Sequence, residues 1–257
     1  MLHFLLSRRW LGLLLAVIVV GVACVELGRW QLRRSVERHE QNLVISRNLT
    51  ASPAPAAEVL SPERPPEADD EWRVVSAVGT YDVERQLLVS YRTREGAPGV
   101  DVLVPLVTAA GPALLVDRGW VQTQGNANRA VDVPPPPPGT VTVRGWVRRN
   151  AEGGSDQVTP NEGTVRAISS TAIAPTLPYP VYDGFVDLTA EEPAVTPAPA
   201  LVDPPDLGSG PHFFYGLQWF FFAILAFGFW CYFAWSEYRQ RGGPQSVDAR
   251  KRVKDPA

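Results

Sequence analysis

The apolar positions of this chain form two kinds of pattern. Two long apolar runs lie near the ends, at 10–28, where Glu26 is the one interruption, and at 213–235, which carries no formal charge. Each is long enough to cross a bilayer core as a helix. Between them, from residue 72 onward, short runs rich in Val, Leu, Tyr and Trp are separated by Gly and Pro, which is typical of β-strands. We therefore predict two transmembrane helices that flank a β-structured domain.

The same patterns set the predicted segment boundaries. Residues 29–47 lack Gly and Pro and are rich in helix formers, so they should continue the first helix outward. Residues 48–71 and 191–211 are rich in proline, which predicts irregular connectors. The predicted segments are an N-terminus at 1–9, spans at 10–28 and 212–235, the extension at 29–47, connectors at 48–71 and 191–211, the β domain at 72–190 and a basic tail at 236–257.

Seven β-type runs are predicted within the middle region, and a turn joins two of them at 109–112. Pro134 to Pro138 should form an extended loop outside the strand ladder, because proline cannot donate to it. The spacing predicts a compact antiparallel sheet curled into a barrel or sandwich, and hence an α+β membrane protein. The predicted strands cover 72–81, 86–92, 100–107, 113–121, 140–148, 165–172 and 180–188.

Two rival interpretations of the first span are weaker. A cleaved signal peptide would also show a basic start and an apolar run, but no small-x-small cleavage site with a polar sequel follows. A lipoprotein signal would place its modified cysteine at Cys24. However, Gly21 stands where leucine is usual, and a helix-compatible segment follows instead of a flexible tether. We expect an uncleaved anchor.

Positive charge near the span ends predicts the orientation in the membrane. Arg8 and Arg9 before the first span and the basic tail after the second both favour cytoplasmic termini, although an arginine cluster directly after the first span argues the other way. We expect the middle domain to be extracytoplasmic. We also expect a bacterial plasma membrane, because the nine residues before the first span leave no room for an organelle transit peptide. The opposing cluster is Arg29, Arg33, Arg34 and Arg38.

Composition narrows the classes of function. Residues 45–211 hold 21 Asp and Glu against 12 Arg and no Lys, an acidic balance that disfavours nucleic-acid binding. Both cysteines, Cys24 and Cys231, fall within the spans near opposite surfaces, so we expect no disulfide. With no C-x-x-C pair and Met1 as the one methionine, copper delivery by soft sulfur ligands is also disfavoured.

The best candidate for metal chemistry is His212, one of three histidines, at the start of the second apolar run. Tyr215, Gly216 and Trp219 follow at spacings of three, four and seven, so all four residues share one helix face. The alternative is an interfacial anchor, with Trp30, Tyr215 and Trp219 as an ordinary aromatic belt. Glu26, near the outer edge of the first span, should snorkel or pair with Arg29 one turn on.

Catalytic signals are lacking in the middle region. Residues 72–190 contain no histidine, no cysteine and no G-x-S-x-G, phosphate-loop or H-E-x-x-H motif, which disfavours an enzyme. Two similar runs, DRGWV at 117–121 and RGWVRR at 144–149, each place glycine between arginine and tryptophan. We expect a bend with a packed aromatic; the alternative is that Arg118 or Arg144 faces the membrane or a partner.

Taken together, six motifs in order resemble the surfeit locus protein 1 family, membrane proteins that assist cytochrome c oxidase assembly. The segment at 210–223 is the strongest match, and the resemblance covers essentially the whole chain. Two positions depart from the family pattern, since asparagine is frequent at 117 and alanine at 216. The motifs are LGRWQLRR at 27–34, VGTYD at 78–82, LLVDRGWV at 114–121, VTVRGWVRR at 141–149, TPNE at 159–162 and GPHFFYGLQWFFFA at 210–223.

The resemblance implies a non-enzymatic role in building the haem-bearing oxidase subunit, by holding or handing over haem A. The implied partners are oxidase subunits and the haem A synthesis machinery, and the implied iron ligand is His212. Tyr215 and Trp219 would border the macrocycle, Gly216 would leave it room, and Arg29 and Arg33 would contact its propionates. A cofactor-free membrane scaffold for oxidase subunits is the alternative.

Overall fold

A computed structural model describes residues 3–109, 111–123, 131–208 and 210–242 of the 257-residue chain. It divides into two compact units, one drawn from Met1–Glu40 and Gly208–Ala257 and the other from Gln41–Leu207. Most of the predicted basic tail at 236–257 lies outside the described residues.

The helices are one long N-terminal helix, three single-turn helices and one long C-terminal helix within the described ranges. Short 3₁₀ segments accompany them at His3–Leu6, Ala68–Asp70, Val83–Arg85 and Ala174–Thr176. The α-helices are α1 (Arg8–Thr50), α2 (Ala56–Val59), α3 (Ser155–Val158), α4 (Ser170–Ile173) and α5 (His212–Gly242).

Helix α1 runs without interruption through both 10–28 and 29–47. No proline occurs within it, and the ion pair between Arg34 and Glu37, at 3.3 Å, supports the polar half. Pro53 shortly follows its end, where proline disfavours the helical conformation of the residue before it. Helix α5 begins beside Pro211, whose carbonyl accepts the first helical hydrogen bond from Tyr215 N–H at 3.1 Å.

Helices α1 and α5 are the two described helices that are long and apolar enough to cross a membrane. Many of their large apolar side chains are exposed, among them Leu15, Val19, Phe214, Ile224 and Phe233. Water would oppose so much exposed apolar surface, whereas lipid would not. Two apolar helices at the ends of the chain thus flank a β-structured unit in the sequence.

Strands of the β unit form one mixed sheet that closes on itself. The ring order is β2–β6–β8–β5–β4, and β4 pairs again with β2 to complete a five-stranded barrel. β3 and β7 continue outward from β4, and β1 lies beside β2. The strands are β1 (Ala54–Pro55), β2 (Val74–Tyr81), β3 (Leu87–Arg94), β4 (Ala97–Thr108), β5 (Ala113–Gln122), β6 (Thr140–Arg148), β7 (Thr164–Val165) and β8 (Phe185–Glu192).

The predicted all-antiparallel arrangement requires a correction, because β5 and β8 are parallel. A closed ring with an odd number of strands cannot alternate direction throughout, so at least one neighbouring pair must run the same way. In this barrel the other four ring pairs are antiparallel. The barrel itself agrees with the sequence-based expectation.

Alternation along the ring strands builds two apolar clusters. In β4 and β5, Val104 and Val116 point into one cluster, whereas Leu103 and Leu115 point into the other. The first cluster fills the barrel, and the second lies where Ile168, Ile173 and Phe185 cover the outer face of the sheet.

Five of the seven predicted strands agree with the structure to within a few residues, and two do not. The segment predicted as a strand at 165–172 contributes only the end of β7 and then turns into α4. Asn150 explains the turn, since its Oδ1 accepts hydrogen bonds from both the N–H and the hydroxyl of Ser170, at 2.7 and 3.0 Å. The last strand begins at Phe185 rather than at residue 180.

The segment 48–71, predicted as a solvated connector, is also corrected. Ala56, Val59 and Leu60 are buried in the barrel core, and β1 pairs with β2. Asn48 is buried at the end of α1, where its amide donates to the carbonyls of Asp69 and Glu71 at 2.6 and 2.9 Å. The apolar residues between the prolines give this segment enough burial to order it.

Candidate functional site

His212 is the first residue of α5 and is half-buried against α1. Its Nδ1 lies 3.0 Å from Oε1 of Gln31, so the imidazole bridges the two long helices. With the amide oxygen as acceptor, Nδ1 carries the proton and Nε2 keeps its lone pair. Within the described part of the chain, Nε2 itself makes no hydrogen bond.

Gly210 lies beside the other edge of the imidazole. Its φ of +65° is in the left-handed region, which favours glycine. A Cβ at this position would stand 3.3 Å from His212 Cδ2 and 3.6 Å from Nε2. The missing side chain therefore keeps space next to the ring nitrogen that could serve as a ligand.

Gly216 is buried at the contact between α1 and α5. A Cβ there would lie 3.0 Å from Leu32 Cδ2, and a Cβ on Gly28 would lie 2.9 Å from the Phe220 ring. Each glycine thus receives a large side chain from the opposite helix, the close approach that small residues allow between apolar helices. The space predicted for a macrocycle at Gly216 is filled by Leu32, because the helices pack directly at that point.

Helical geometry separates the remaining candidates by face. At about 100° per residue, Tyr215 and Trp219 project from the side of α5 that carries His212. Gln31 and Arg34 project from the matching side of α1. Trp219 is half-buried and makes an edge contact with Phe222 at 5.9 Å between ring centroids. The structure therefore brings His212, Tyr215 and Trp219 to one face of the helix pair.

Arg29 and Arg33 are not brought to that face. Both are exposed, and they project from the opposite side of α1, close to Glu26. Arg29 donates to Glu26 Oε1 at 2.9 Å, which confirms the predicted pairing of the glutamate. The guanidinium predicted to contact a propionate is therefore already engaged by a neighbouring carboxylate.

Aromatic side chains join the two helices at the end away from His212. Trp10 and Trp230 meet edge to face at 6.2 Å, which fixes the antiparallel register of the two helices. Cys24 is buried, Cys231 is exposed, and both are free. No group of three or more His, Cys, Asp or Glu side chains in the described ranges could hold a metal ion.

In the barrel, Arg118 from the DRGWV run is completely buried. Its guanidinium contacts Glu191 and the carbonyl of Pro134, each at 3.0 Å, and lies 5.5 Å from the centroid of the Tyr81 ring. Tyr81 in turn donates to Glu191 at 3.0 Å. Burial raises the pKa of the Tyr81 hydroxyl, and Glu191 raises it further. Arg118 therefore does not face a membrane or partner, and its role is in packing.

The glycine and tryptophan of the same run agree with the predicted bend. Gly119 has a φ of +115°, and its backbone lies directly against Ala200. The N–H groups of Trp120 and Ala200 each donate to the other's carbonyl at 2.8 Å. Arg144, from the second run, is exposed.

Three carboxyl groups of the barrel, of which Asp117 and Asp187 are buried and Asp101 is half-buried, were not predicted from the sequence. Asp117 and Asp187 lie opposite each other on β5 and β8, and Asp101 is on β4. Each acid stands directly between two apolar residues or beside one in its strand, a signal that could have identified them. Asp117 accepts the N–H of Gly119 at 2.9 Å, Asp187 pairs with Arg148 at 3.0 Å, and Asp101 pairs with Arg92 at 2.7 Å.

Burial is the main cause of the shifted pKa values in this group. It raises the pKa of Asp187 to about 6 although Arg148 opposes the change. It raises the pKa of Asp117 well above its usual range, and the charges of Asp101 and Asp187 add to the effect. The cluster can hold protons at neutral or mildly acidic pH, but no histidine or cysteine of the barrel accompanies it.

Comparison with known proteins places the chain in a family. The model of the SURF1 family matches residues 18–224, a stretch that includes His212, Gln31 and all three glycines of the helical site. Uncharacterized SURF1-like proteins of Mycobacterium bovis and Mycobacterium tuberculosis are each 32% identical over 252 residues, covering 93% of this chain and 89% of theirs.

A SURF1-like protein of Monosiga brevicollis is 31% identical over 157 residues, covering 55% of this chain and 57% of its own. The two apolar helices and the barrel between them are thus part of a matched region that spans most of the molecule. The chain belongs to the SURF1 family, whose members are generally cytochrome oxidase assembly factors.

Proposed function

We propose that this protein is a membrane-anchored assembly factor for haem-copper cytochrome c oxidase that holds haem A through His212. Family membership supports the role in oxidase assembly. The haem part of the proposal is carried by His212, whose Nδ1 is bonded to Gln31 while Nε2 lies beside the space left by the missing side chain of Gly210.

The neutral imidazole of His212 is a suitable ligand for the iron of haem A. A neutral imidazole is a standard axial ligand of haem iron, and a ligating histidine usually donates its second N–H to a protein acceptor. When bound, haem A supplies the redox-active iron that the mature oxidase requires. His212 would hold it, and the aromatic side chains of Tyr215 and Trp219, on the same face, would border its edge.

Arg34 is the arginine best placed for an anionic group on this face, since it projects from the same side of α1 as Gln31. Its present partner is Glu37 at 3.3 Å, and both side chains are more than half exposed, so the pair is weak and can exchange partners. Arg29 and Arg33 remain the alternative contacts, from the other side of the helix.

Gly216 has a different role in this proposal from the one its size first indicates. Leu32 packs onto it, which brings α1 and α5 together one turn below His212. The glycine therefore sets the distance between the imidazole and Gln31, and the cofactor lies on the outer face of the helix pair. A single protein ligand on an open face suits a carrier that must release its cargo.

The proposed topology has both helices inserted, both termini in the cytoplasm and the barrel on the outer side of a bacterial plasma membrane. The exposed apolar side chains of α1 and α5 support insertion, and Arg8 and Arg9 support the orientation. A cysteine introduced at exposed Glu95, with Cys24 and Cys231 replaced by alanine, should react with a membrane-impermeant maleimide added to intact spheroplasts. Labelling only after lysis would contradict the orientation.

The proposed partners are oxidase subunits, the haem A synthesis machinery and the lipid bilayer. We propose no enzymatic activity for the protein itself. Two charged side chains of the barrel are already paired inside the fold, Arg118 with Glu191 and Asp187 with Arg148. The acidic balance of the barrel region disfavours nucleic acid as a partner.

Purification from cells that make haem A tests the proposal. The wild-type protein should carry a haem absorbance band that is lost on replacing His212 by alanine. His39→Ala is the matched control, because His39 is a histidine of the helix pair that is exposed in the charged part of α1. A band of equal intensity in both variants would contradict the ligand assignment.

A cofactor-free scaffold is the second candidate, and one observation favours it. The helices pack directly at Gly216 and Gly28, as two helices with a purely structural role would. The scaffold predicts that oxidase subunits co-purify with His212→Ala as they do with wild type, and that oxidase activity in the cells is unchanged. The haem-carrier proposal predicts reduced oxidase activity in that variant.

A further inference from the structure

We propose that Gln31 is a positioning residue that fixes the tautomer and orientation of His212 and limits the strength of its bond to iron. This inference rests on the proposed haem-binding function and adds a residue to it. It also makes a claim about the protein without cofactor, namely that His212 carries its proton on Nδ1.

The first step is the hydrogen bond itself. Gln31 Oε1 and His212 Nδ1 are 3.0 Å apart, an ordinary hydrogen-bond distance, although the two residues are 181 positions apart in the sequence. An amide oxygen can only accept, so Nδ1 must donate. A free neutral imidazole prefers the proton on Nε2, and the contact with Gln31 reverses that preference.

The second step is what holds Gln31 in place. Its neighbour Leu32 packs onto Gly216 one turn into α5, and the Phe220 ring packs onto Gly28 one turn back on α1. Two large side chains, each seated on a glycine of the other helix, thus lock the register beside the hydrogen bond. The position of Gln31 is set by this packing and not by the hydrogen bond alone.

The third step concerns the free side of the ring. The hydrogen bond holds Nδ1, and Nε2 lies beside the space that a side chain on Gly210 would crowd. The imidazole thus has an acceptor at one nitrogen and a glycine beside the other. That arrangement presents one lone pair to a ligand.

The fourth step is the charge of the acceptor. A carboxylate hydrogen-bonded to a ligating histidine raises the basicity of the imidazole, whereas a neutral amide does so less. Gln31 therefore orients the ligand without making it as strong as a carboxylate would. A protein that passes its cofactor onward benefits from this moderate strength, because release becomes easier.

Three variants of the full-length protein in lipid nanodiscs separate these steps. Gln31→Leu removes the acceptor at nearly constant volume, and Gln31→Glu replaces it by a charged one of the same shape. Gln218→Leu is the matched control, since Gln218 is exposed on the side of α5 turned away from α1. Each protein is titrated with haem A, and the reduction potential of the bound haem is measured.

The cofactor-free protein is also labelled with ¹⁵N-histidine, and the ring nitrogens of His212 are observed by NMR. The chain has three histidines, so comparison with His212→Ala assigns the signal. We expect the Nδ1–H tautomer in wild type and in Gln218→Leu, and the Nε2–H tautomer in Gln31→Leu. If Gln31 served only in helix packing, Gln31→Leu would have the same His212 tautomer as wild type.

On loading with haem A, Gln31→Leu should bind at least tenfold more weakly than wild type, within the usual 10–100-fold effect of losing such a partner. Gln31→Glu should bind more tightly and lower the reduction potential. A tenfold shift toward the ferric form would correspond to about 59 mV for a one-electron couple. Gln218→Leu should behave as wild type.

Equal haem affinity and equal potential in wild type and both Gln31 variants would overturn the inference and leave the His212 proposal intact. Observation of the Nε2–H tautomer of His212 in the cofactor-free wild-type protein would also overturn the inference. Failure of the wild-type protein to bind haem A would contradict the proposed function and the ligand-strength part of this inference. The tautomer of His212 in the cofactor-free protein would still show whether Nδ1 donates a hydrogen bond to Gln31.

Discussion

The helix pair and the barrel use their polar side chains in opposite ways. In the barrel, Arg118 and Asp187 are buried and each is bonded to an oppositely charged side chain. In the helix pair, His212 uses one nitrogen for Gln31 and keeps the other for something outside the pair. The charged residues of the barrel therefore stabilise its fold, whereas the helix pair keeps the Nε2 lone pair of His212 available to a ligand. Function in this protein is better sought in the helix pair, where a half-buried imidazole keeps one ring nitrogen unpaired among the described residues.

The largest effect that tests this comparison is expected from Arg118. Replacing it by methionine keeps much of the volume but leaves Glu191 buried without its cation, which should destabilise the barrel by about 3–5 kcal/mol. Chemical denaturation of the detergent-solubilised protein, followed by hydrogen exchange of β5 and β8 peptides, measures it.

Arg144→Met is the matched control, because Arg144 is an exposed arginine in a similar run on β6. It should change the free energy of unfolding of the barrel by well under 1 kcal/mol. If the two variants were equally stable, the packing role of the buried arginine would be excluded.

A second, intermediate effect is expected from pH. The pKa of Asp187 is about 6 in the folded protein, above its ordinary value of 3.8. The folded state therefore binds a proton more tightly than the unfolded state, and this contribution is fully present below pH 4 and is lost as pH rises through 6. The difference is on the order of 2–3 kcal/mol.

The pH dependence should be smaller in Asp187→Asn than in wild type between pH 4 and 6, because asparagine cannot titrate. The measurement is the free energy of unfolding of both proteins at several pH values, with Asp203→Asn, an exposed acid, as the control. A pH profile of Asp187→Asn that parallels wild type would show that another group causes the dependence.

The smallest effect concerns the arginines of the helix pair. If the cofactor lies on the face of His212, Arg34→Gln should reduce the affinity for haem A several-fold, on the scale of one exposed charged contact. Arg29→Gln should reduce it less, since Arg29 projects from the other side and is paired with Glu26. Titration of both variants with haem A compares them, and the reverse order would place the propionates on the side of Arg29.

Local patterns in the sequence predicted the elements well, but not the contacts that pair them. Long uncharged apolar runs identified both long helices, and short runs rich in Val, Leu, Tyr and Trp between Gly and Pro identified most strands. The parallel pair of β5 and β8 could not be predicted, since it follows from how many strands close the ring. The core residues Ala56 and Leu60 were missed because the surrounding prolines suggested a connector.

The same limit applies to the site. His212 and its helix face were found from the sequence, because the residues are near one another along the chain. Gln31 was missed, since it is 181 positions away and nothing local indicates that its amide meets the imidazole. Gly216 was noticed for its size, but only the position of Leu32 shows which group uses the space.

The central claim is the bond between iron and His212, and a cavity variant tests it most directly. His212→Gly removes the imidazole and leaves room for a free one. The proposal predicts that this variant, purified from cells that make haem A, lacks the haem band and regains it when imidazole is added during loading with haem A. A haem band of wild-type intensity in His212→Gly without imidazole would contradict the claim.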